Sequence, residues 1–522
     1  MRFSPKFVAA ISVMPVLMSL PFAAPAQTID PDIFVVEETS IADIHAAMQD
    51  GRITAAQLVR HYLARIDAYD KQGPSLNSMI TINDRALQQA DSLDRIFAES
   101  GFVGPLHGIP IIVKDNYDTY DLPTTAGSYS LAGSIPPDDA FQVARIREAG
   151  AIVLAKSNMA EFAFSPYETV GSMLPGYSRN PYDTRRVTAG SSGGTAAGVA
   201  ANLGAVGLGT DTGNSIRGPS SHQALVGIRS TMGLTSRDGI IPLYLDRDIG
   251  GPMARTVADA VAVFDVIAGY DPADPVTQRS EGRRAQNYLD FLDADGLNGM
   301  RIGVLRQVSN TETADAEMLE RFEEALVDLA SGGAVIVDAI EVPELENIEG
   351  SLWCRRFRDD LNAYLASLGD ARPYVSLEEV IESGRFHPSI SERLKFMQEI
   401  EGGPDENEDC LAALDNTEIL RQGVRRVLEA NGLDALVYPS WNNPPRLIGD
   451  LRTPHGNNSF RIAPPTGFPA MTVPMGFVHG NLPAGLQILG DAFSEPTLIK
   501  IAYAYEQATK HRRPPDSAPP LR

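Results

Sequence analysis

The sequence predicts an α/β protein in which helices flank one extended sheet. Three observations support this prediction. Short apolar runs of strand length alternate with helical patterns along most of the 522 residues. Past the N-terminal segment, no linker rich in glycine, serine or proline divides the chain. Hydrophobic residues make up 43% of the chain, so a single large domain can bury a sizeable core.

Helices are predicted first, within residues 40–100. Ser40 or Thr39 can cap one helix and Thr54 another, because a hydroxyl oxygen accepts a hydrogen bond from a free N–H of the first turn. In each helix the apolar side chains recur at helical spacing and form one buried face: Ile41, Ile44 and Met48 in the first, and Leu58, Tyr62, Leu63 and Ile66 in the second.

Buried strands alternate with helices from residue 109 onward. The apolar runs 109–113, 151–155 and 205–208 are predicted strands, and 139–149 and 195–203 are predicted helices. Later predicted strands are 301–305, 334–337, 435–438, 470–474 and 486–489, with helices at 259–268, 314–330 and 495–509. Residues 345–430 are mostly helical in pattern and more charged, so they are predicted to form a helical cover inserted on the core.

The first 26 residues have the pattern of a signal peptide. Arg2 and Lys6 supply positive charge, residues 7–22 are largely apolar, and residues 24–26 fit a cleavage site before Gln27. The apolar run is too short and too interrupted by proline for a good membrane span. We therefore expect export to the periplasm or beyond and a mature domain of residues 27–522. An uncleaved N-terminal anchor is the alternative.

The net charge and the cysteine content limit which ligands and cofactors the chain is expected to bind. The net charge of −23 argues against nucleic-acid binding, because a phosphate backbone would be repelled. Cys354 and Cys410 are too few and too far apart for a zinc site of their own, and no metal or cofactor is expected. In an oxidising compartment the two cysteines could pair, which the sequence leaves open.

Two glycine-rich runs carry serines 24 residues apart. Ser191 lies in residues 189–194, and Ser215 lies in residues 209–217. Composition alone is typical of loops, because glycine accepts positive φ and serine caps helices. Residues 190–194 could also open a helix at an anion site. However, neither run has the P-loop lysine or the dinucleotide-binding spacing.

One interpretation of the first run makes Ser192 a nucleophile. Residues 190–194 match the G-x-S-x-G pattern of a nucleophile elbow. That mechanism needs a histidine later in the chain, and His455, His479 and His511 are the late candidates. None of the three has surroundings that single it out, so a histidine-dependent esterase stays open as an alternative.

The other interpretation adds Lys114, which follows the apolar run 109–113. A serine hydroxyl needs a base to become a good nucleophile. Lysine can act as that base only when it is neutral, which requires a pKa several units below its ordinary value of about 10.4. Burial at the end of a strand lowers a lysine pKa in this direction. The alternative is a surface lysine at a strand end.

Together these segments resemble the amidase signature family of serine hydrolases over nearly the whole mature chain. The matching segments are residues 105–116, 156–162, both glycine-rich runs, 225–229, 251–259, 467–470 and 482–487. The resemblance implies a single large domain with a central mixed β-sheet flanked by helices, and a helical insert over the active site.

The resemblance also implies catalytic roles. Ser215 would be the nucleophile, Ser191 a bridging serine after a cis peptide bond, and Lys114 the general base. The oxyanion hole would be made of backbone N–H groups, those of Thr212, Gly213, Asn214 and Ser215. The family usually has glycine where this chain has Asn214. We expect Asp211 and Arg217 to brace this loop as an ion pair.

Substrate contacts are predicted from the same resemblance. It places Phe162, Gly190 and the loop around Trp441 near the acyl pocket. Trp441 could instead pack beneath its loop. Trp353 and Phe357, four residues apart in the helical insert, could form a lid, although their helical spacing favours core packing.

The resulting expectation is an exported amidase that works as a monomer or homodimer. It would convert a small or aromatic carboxamide to a carboxylate and an amine or ammonia, and it could also cleave esters or carbamates. Besides the esterase that uses Ser192, two alternatives stay open. One is an exported solute-binding protein without catalysis. The other is the amide-hydrolysing subunit of a tRNA-dependent amidotransferase, against which the signal peptide argues.

Overall fold

The structure is a computed structural model that describes residue 1, residues 34–165, residues 167 and 172, and residues 174–521. The predicted signal peptide, residues 1–26, lies outside the described residues apart from Met1. The described chain forms a single α/β domain around one mixed sheet, as the sequence predicts.

Eleven strands of the described chain form this sheet. They are β1 (Met79–Ile82), β2 (Pro110–Lys114), β3 (Ile152–Ser157), β4 (Val206–Asp211), β5 (Val226–Arg229), β6 (Ile249–Ala254), β7 (Arg301–Val304), β8 (Val335–Val337), β9 (Ala435–Pro439), β10 (Ala470–Val478) and β11 (Leu482–Leu489). Their order in the sheet is β1-β3-β2-β4-β6-β5-β10-β11-β9-β7-β8. The pairs β2–β3, β2–β4, β7–β8 and β7–β9 are parallel, and the other pairs are antiparallel.

Sixteen α-helices surround the sheet in the described chain. They are α1 (Ile41–Gln49), α2 (Ala55–Tyr69), α3 (Ala86–Ser100), α4 (Phe141–Glu148), α5 (Gly193–Ala200), α6 (Arg217–Ser221), α7 (Val257–Ile267), α8 (Arg306–Ser309), α9 (Ala316–Ser331), α10 (Glu344–Asn347), α11 (Phe357–Ser367), α12 (Leu377–Ser383), α13 (Ser391–Gln398), α14 (Glu408–Asn431), α15 (Ala463–Thr466) and α16 (Glu495–Thr509).

The predicted helix starts near the N-terminus are confirmed. Ser40 and Thr54 are the N-caps of α1 and α2, and each side chain accepts a hydrogen bond from the N–H three residues later. A cap of this kind contributes about 1 kcal/mol. The predicted buried faces are present, except that Leu63 is only half-buried.

The strands β3, β2 and β4 lie inside the sheet, as the second to fourth strands from the β1 edge. Every residue of β2, β3 and β4 is buried, which is typical of strands covered on both faces. β2 lies between β3 and β4 and is parallel to both, so the C-terminal ends of the three strands point the same way. Side chains at these ends can therefore converge on one site.

The segment 345–430 is helical and contains α11 to α14. Phe357, Leu361 and Leu394 of these helices are buried in an apolar cluster that also contains Phe162 and Phe164. Cys354 and Cys410 form a disulfide, a pairing that the sequence left open. The bond connects the chain before α11 to the first turn of α14.

Among the described residues, the structure contains no helix with both the length and the apolar character needed to cross a bilayer.

Candidate active site

Lys114 is the last residue of β2, and its side chain is fully buried. Its Nζ donates a hydrogen bond of 2.7 Å to Oγ of Ser191 and another of 2.7 Å to Oγ1 of Thr210. A neutral amine in this position can accept a proton from the Ser191 hydroxyl. The alternative of a surface lysine is therefore excluded, and the predicted contact between Lys114 and Ser191 is present.

Ser191 lies in the loop before α5, and its peptide bond with Gly190 is cis, as the family resemblance implies. Its side chain is fully buried, and its carbonyl accepts a hydrogen bond from the N–H of Ala160. The preceding residue, Ala189, has a φ of 58°. This loop therefore holds the Ser191 hydroxyl against Lys114.

Thr210 of β4 is a site residue that the sequence reasoning missed. Its Oγ1 accepts hydrogen bonds from Nζ of Lys114 at 2.7 Å and from Nδ2 of Asn116 at 3.1 Å. Lys114 is the last residue of β2, and Asn116 follows that strand, which is the parallel neighbour of β4. Thr210 thus fixes the direction of the Lys114 amine. The only sequence signal was its place in the second glycine-rich run.

A second buried lysine, Lys156, has different surroundings. Its Nζ lies 3.4 Å from Oδ1 of Asp115 and donates hydrogen bonds to the carbonyl of Tyr117 and the hydroxyl of Thr124, both at 2.8 Å. Burial lowers the pKa of Lys156, and the nearby Asp115 opposes that change. A lysine held by a carboxylate and by carbonyls is suited to joining loops. This leaves Lys114 as the better placed base.

Ser215 lies in the loop between β4 and α6, at the wall of a cavity, with 4% of its surface exposed. Its carbonyl accepts a hydrogen bond from the N–H of Ser192. Its hydroxyl makes no hydrogen bond to any described residue. The structure thus places Ser215 and Ser191 on connected loops, and it shows the Lys114–Ser191 hydrogen bond but not one between the two serines.

An ion pair braces the Ser215 loop, as expected for Asp211 and Arg217. Two nitrogens of Arg217 bond to the Asp211 carboxylate at 3.1 Å, and Arg229 bonds to the same carboxylate at 3.0 Å. Burial alone would raise the pKa of Asp211, but the two guanidinium groups lower it to about 2. Arg217 also donates to the carbonyl of Gly213 at 3.0 Å, so the ion pair fixes the loop backbone.

The predicted oxyanion-hole residues Thr212, Gly213 and Asn214 line the same cavity as Ser215. Within the described part of the chain, the N–H groups of Gly213, Asn214 and Ser215 donate to no acceptor. Unpaired backbone donors beside a serine are the arrangement that stabilises a developing oxyanion. The Thr212 hydroxyl is hydrogen-bonded to Asp248, whose other oxygen accepts from the N–H groups of Leu243 and Tyr244.

Asn214, where the family usually has glycine, joins the two serine loops. Its Nδ2 donates a hydrogen bond of 3.3 Å to the carbonyl of Gly190, which precedes Ser191. The side chain also packs closely on the backbone of Gly218, where an added Cβ would lie 2.2 Å from Nδ2. Its Oδ1 is buried and unpaired within the described residues. The Asn214 side chain therefore points toward the loop of Ser191.

Ser192 has a structural environment. It is fully buried, its Oγ donates to the carbonyl of Thr210 at 3.2 Å, and the same oxygen accepts from the N–H of Thr210 at 3.3 Å. The histidines considered as its partners have contacts elsewhere: His455 stacks on Tyr167, His479 pairs with Asp315, and His511 pairs with Asp328. These contacts disfavour the esterase that uses Ser192.

The cavity in front of Ser215 has a volume of about 780 Å³. Aromatic side chains form much of its lining: Phe164, Tyr167, Tyr244, Trp353, Phe357, Phe396 and Phe460. The helical insert closes one side through residues 351–357 and α13, which together we call the cover. The cavity therefore has room for a substrate much larger than a simple aliphatic amide.

The structure distributes the predicted substrate contacts differently. Phe162 is buried behind the lining and contacts Phe357, while its neighbours Ala163 and Phe164 line the cavity. Trp441 is also buried, and it stacks on His222 beside a separate small cavity. The carbonyl of Gly190 accepts a hydrogen bond from Asn214. None of these three residues lines the cavity of Ser215. Each packs against residues beside the cavity instead.

Trp353 and Phe357, the two aromatic residues considered in the helical insert, have different surroundings. Trp353 and Phe357 both line the cavity, and an added Cβ at Gly213 would lie 4.0 Å from Cη2 of Trp353. Trp353 is 38% exposed, so it lies at the rim of the cavity, where the predicted lid would be. Phe357 is buried and connects the cover to the apolar cluster of α11 to α13, in agreement with the core packing that its spacing favours.

The described residues contain no group of three or more histidine, cysteine, aspartate or glutamate side chains placed to hold a metal ion.

Comparison with known proteins places this geometry in a family. The family model described as amidase matches residues 57–499. A probable amidase of Arabidopsis thaliana is 36% identical over 509 residues, which cover 92% of each chain. A putative amidase of Schizosaccharomyces pombe is 32% identical over 517 residues, covering 92% of this chain and 87% of that one.

A solved structure gives the same result. The native peptide amidase of Stenotrophomonas maltophilia is 38% identical, with a TM-score of 0.82, and the match covers 92% of this chain and 98% of that one.

Proposed function

The chain belongs to the amidase family and is a hydrolase of amide carbon–nitrogen bonds, and we propose that it cleaves aromatic or extended apolar carboxamides through an acyl-enzyme on Ser215. The observation that carries this proposal is the cavity. Ser215 and the unpaired N–H groups of its loop lie on the wall of an aromatic-lined space of about 780 Å³. Such a space favours a substrate with a large acyl group.

The proposed reaction has two steps. The Ser215 hydroxyl attacks the amide carbonyl while its proton passes to Ser191, whose own proton passes to Lys114. The N–H groups of Gly213, Asn214 and Ser215 stabilise the oxyanion, each by about 3–4 kcal/mol. The proton then returns from Lys114 through the Ser191 hydroxyl to the departing amine. A water molecule attacks the acyl-enzyme by the same route and releases the carboxylate.

The lining of the cavity and the similar proteins limit the range of substrate classes that we propose. Phe164, Tyr244 and Trp353 offer flat apolar surfaces beside Ser215. The similar protein from Stenotrophomonas is a peptide amidase. We therefore propose peptide amides and aryl amides as the principal substrate classes, with esters and carbamates of the same acyl groups as further substrates.

A substrate screen with paired serine variants tests this proposal. Anilides, aliphatic amides, peptide amides and carbamates are incubated with the wild-type protein, and initial rates are measured. Ser215→Ala should abolish hydrolysis and labelling by a fluorophosphonate. Ser192→Ala, the matched control one loop away, should retain both. Loss of activity only in Ser192→Ala would overturn the assignment, and an absence of labelling in the wild type would favour a binding protein.

Export is the second part of the proposal. It rests on the N-terminal sequence pattern and is supported by the Cys354–Cys410 disulfide, because such bonds persist mainly in oxidising compartments. Cell fractionation and mass spectrometry of the full-length product test it. We expect an exported protein that begins at Gln27. A reduced, full-length protein in the cytosol would contradict it.

A further inference from the structure

A second cavity, of about 500 Å³, lies on the other side of Tyr244 from the cavity of Ser215, since Tyr244 lines both. Arginines dominate the charged part of its wall. We call it the arginine cavity, after Arg237, Arg247, Arg279, Arg283, Arg421 and Arg425. Asp246 is the one acidic residue in its described lining. This concentration of positive charge occurs in a chain whose net charge is −23.

Internal ion pairs neutralise only part of this charge. Arg237 pairs with Asp274, Arg421 with Glu418 and Arg425 with Asp491. Asp246 is itself held by Arg356, which lies outside this lining.

The remaining three arginines, Arg247, Arg279 and Arg283, make no salt bridge with any described residue. Arg279 and Arg283 are exposed, and Arg283 lies over the ring of Phe493 at 5.0 Å. The wall of the cavity therefore keeps an excess of positive charge facing its interior.

Arg247 connects this charge to the active site. Only 3% of its surface is exposed, and its guanidinium makes no salt bridge with a described residue, although Asp246 and Tyr244 interact with it electrostatically. The group donates to the carbonyl of Leu352 and lies 4.1 Å from the ring centre of Trp353. A buried guanidinium is costly unless hydrogen bonds or an anion compensate it. The Leu352 carbonyl, Tyr244 and Asp246 supply part of that compensation, and an anion in the arginine cavity would add to it.

We propose that the arginine cavity binds a small polyanion, a molecule with two or more phosphate or carboxylate groups. Guanidinium groups present paired donors that match both kinds of oxyanion. The volume excludes a macromolecule from the cavity and accommodates a compact ligand of this class. This site is separate from the proposed amide-hydrolysing site, and its binding test does not require hydrolysis.

Occupancy of this cavity should be sensed by the active site. Arg247 lies on Trp353, and Trp353 lines the cavity of Ser215 and approaches Gly213 of the oxyanion loop. An anion that draws the Arg247 guanidinium away from the indole would loosen this contact. We expect a change in the fluorescence of Trp353 and a change in the rate of amide hydrolysis.

Calorimetric titration of the full protein tests binding directly. Pyrophosphate, tripolyphosphate and citrate are the probes, and equal ionic strength of sodium chloride is the reference. The double variant Arg279→Glu/Arg283→Glu should weaken saturable binding at least tenfold. Arg372→Glu is the matched control, because Arg372 is exposed and lines neither cavity. Binding of the phosphates without citrate, or the reverse, identifies which oxyanion the cavity prefers.

The outcomes are distinct. Saturable binding that is lost in the double variant and kept in Arg372→Glu supports the site. No saturable binding of any probe by the wild type, or equal binding by all three proteins, overturns it. Circular dichroism of the variants confirms that they fold. A Trp353→Phe variant that still binds but loses the fluorescence response shows that Trp353 reports the occupancy.

Discussion

The Nζ atom of Lys114 lies 2.7 Å from Oγ of Ser191. This contact joins the end of β2 to the loop before α5, and in the proposed relay, which uses no histidine, it would deliver the proton to Lys114. Lys114→Met keeps the aliphatic stem and removes the amine. We expect kcat to fall by roughly 10²–10⁴, the usual contribution of a general base. Lys71→Met, at an exposed lysine, is the control, and activity within tenfold of wild type in Lys114→Met would refute the relay.

Thr210 should act as a positioning residue for Lys114. Its hydroxyl accepts from both Lys114 and Asn116, so Thr210→Val leaves the amine with one polar partner fewer. We expect kcat to fall by roughly 10-fold to 100-fold, about 1.4–2.8 kcal/mol, with KM nearly constant. The pH profile of kcat should also shift. Thr210→Ser should restore both quantities; a purely structural role would leave the pH profile unchanged.

The side chain of Asn214 should tune the oxyanion loop, whose proposed donors are backbone N–H groups. Asn214→Gly removes the bond from Nδ2 to the Gly190 carbonyl, which contributes about 1 kcal/mol, and also removes the unpaired Oδ1. The backbone N–H groups remain. We therefore expect a change in the free energy of unfolding of at most about 1 kcal/mol, together with measurable activity. Complete loss of kcat in a folded Asn214→Gly protein would show that the side chain itself is required.

Asp211 should make stability depend on acid pH. Its pKa in the folded protein is about 2, below the ordinary value of 3.8, because Arg217 and Arg229 outweigh the effect of burial. A lowered carboxyl pKa stabilises the fold above about pH 4, and this contribution is lost as the pH falls toward 2. The loss is roughly 2 kcal/mol. Urea unfolding of the wild type between pH 6 and pH 2 measures it.

The matched variant is Asp211→Asn. It leaves two buried arginines without their carboxylate, so the free energy of unfolding at pH 7 should fall by about 3–5 kcal/mol. The difference from wild type should shrink as the pH falls below 4. A constant difference from pH 6 to pH 2 would contradict the assigned origin of the pKa change.

The disulfide should stabilise the cover. Cys354 lies in the cavity wall, and Cys410 lies 56 residues later in α14. Removal of both thiols in Cys354→Ala/Cys410→Ala should lower stability by about 2–4 kcal/mol. We expect KM for large amides to rise more than KM for small ones, because a larger substrate would fill more of the cavity that residues 351–357 line. Equal kinetics and melting temperature with and without the bond would exclude this role.

Much of the fold could be predicted because local signals agreed with the final packing. The helix predicted at 495–509 matches α16, where a proline in the first turn and regular apolar spacing mark the boundaries. The strands β1, β5 and β6 were missed. β1 and β5 have four residues each, and β6 contains Gly250, Gly251 and Pro252, which have low strand propensity. Pairing with neighbours, which a single sequence does not reveal, makes them strands.

Some residues of the candidate site were predicted from the sequence and others were not. The motif around Lys114 and the two serines identified the residues that meet, although Lys114 and Ser191 are 77 positions apart. Thr210 was missed because its role depends on the register between β2 and β4. For Trp441 the sequence left two placements open, because packing between distant segments decides its stacking on His222. Contacts within a motif were therefore easier to predict than contacts between variable loops.

The complete burial of Lys114 has a consequence for proton exchange during the proposed reaction. A base open to solvent could exchange the captured proton with bulk water before the amine departs. Here the amine is hydrogen-bonded to the Ser191 hydroxyl, so in the proposed relay the proton is kept for the amine that departs. The same enclosure shields the amine from acylating reagents. Surface lysines can therefore be modified for immobilisation or labelling while the base stays intact.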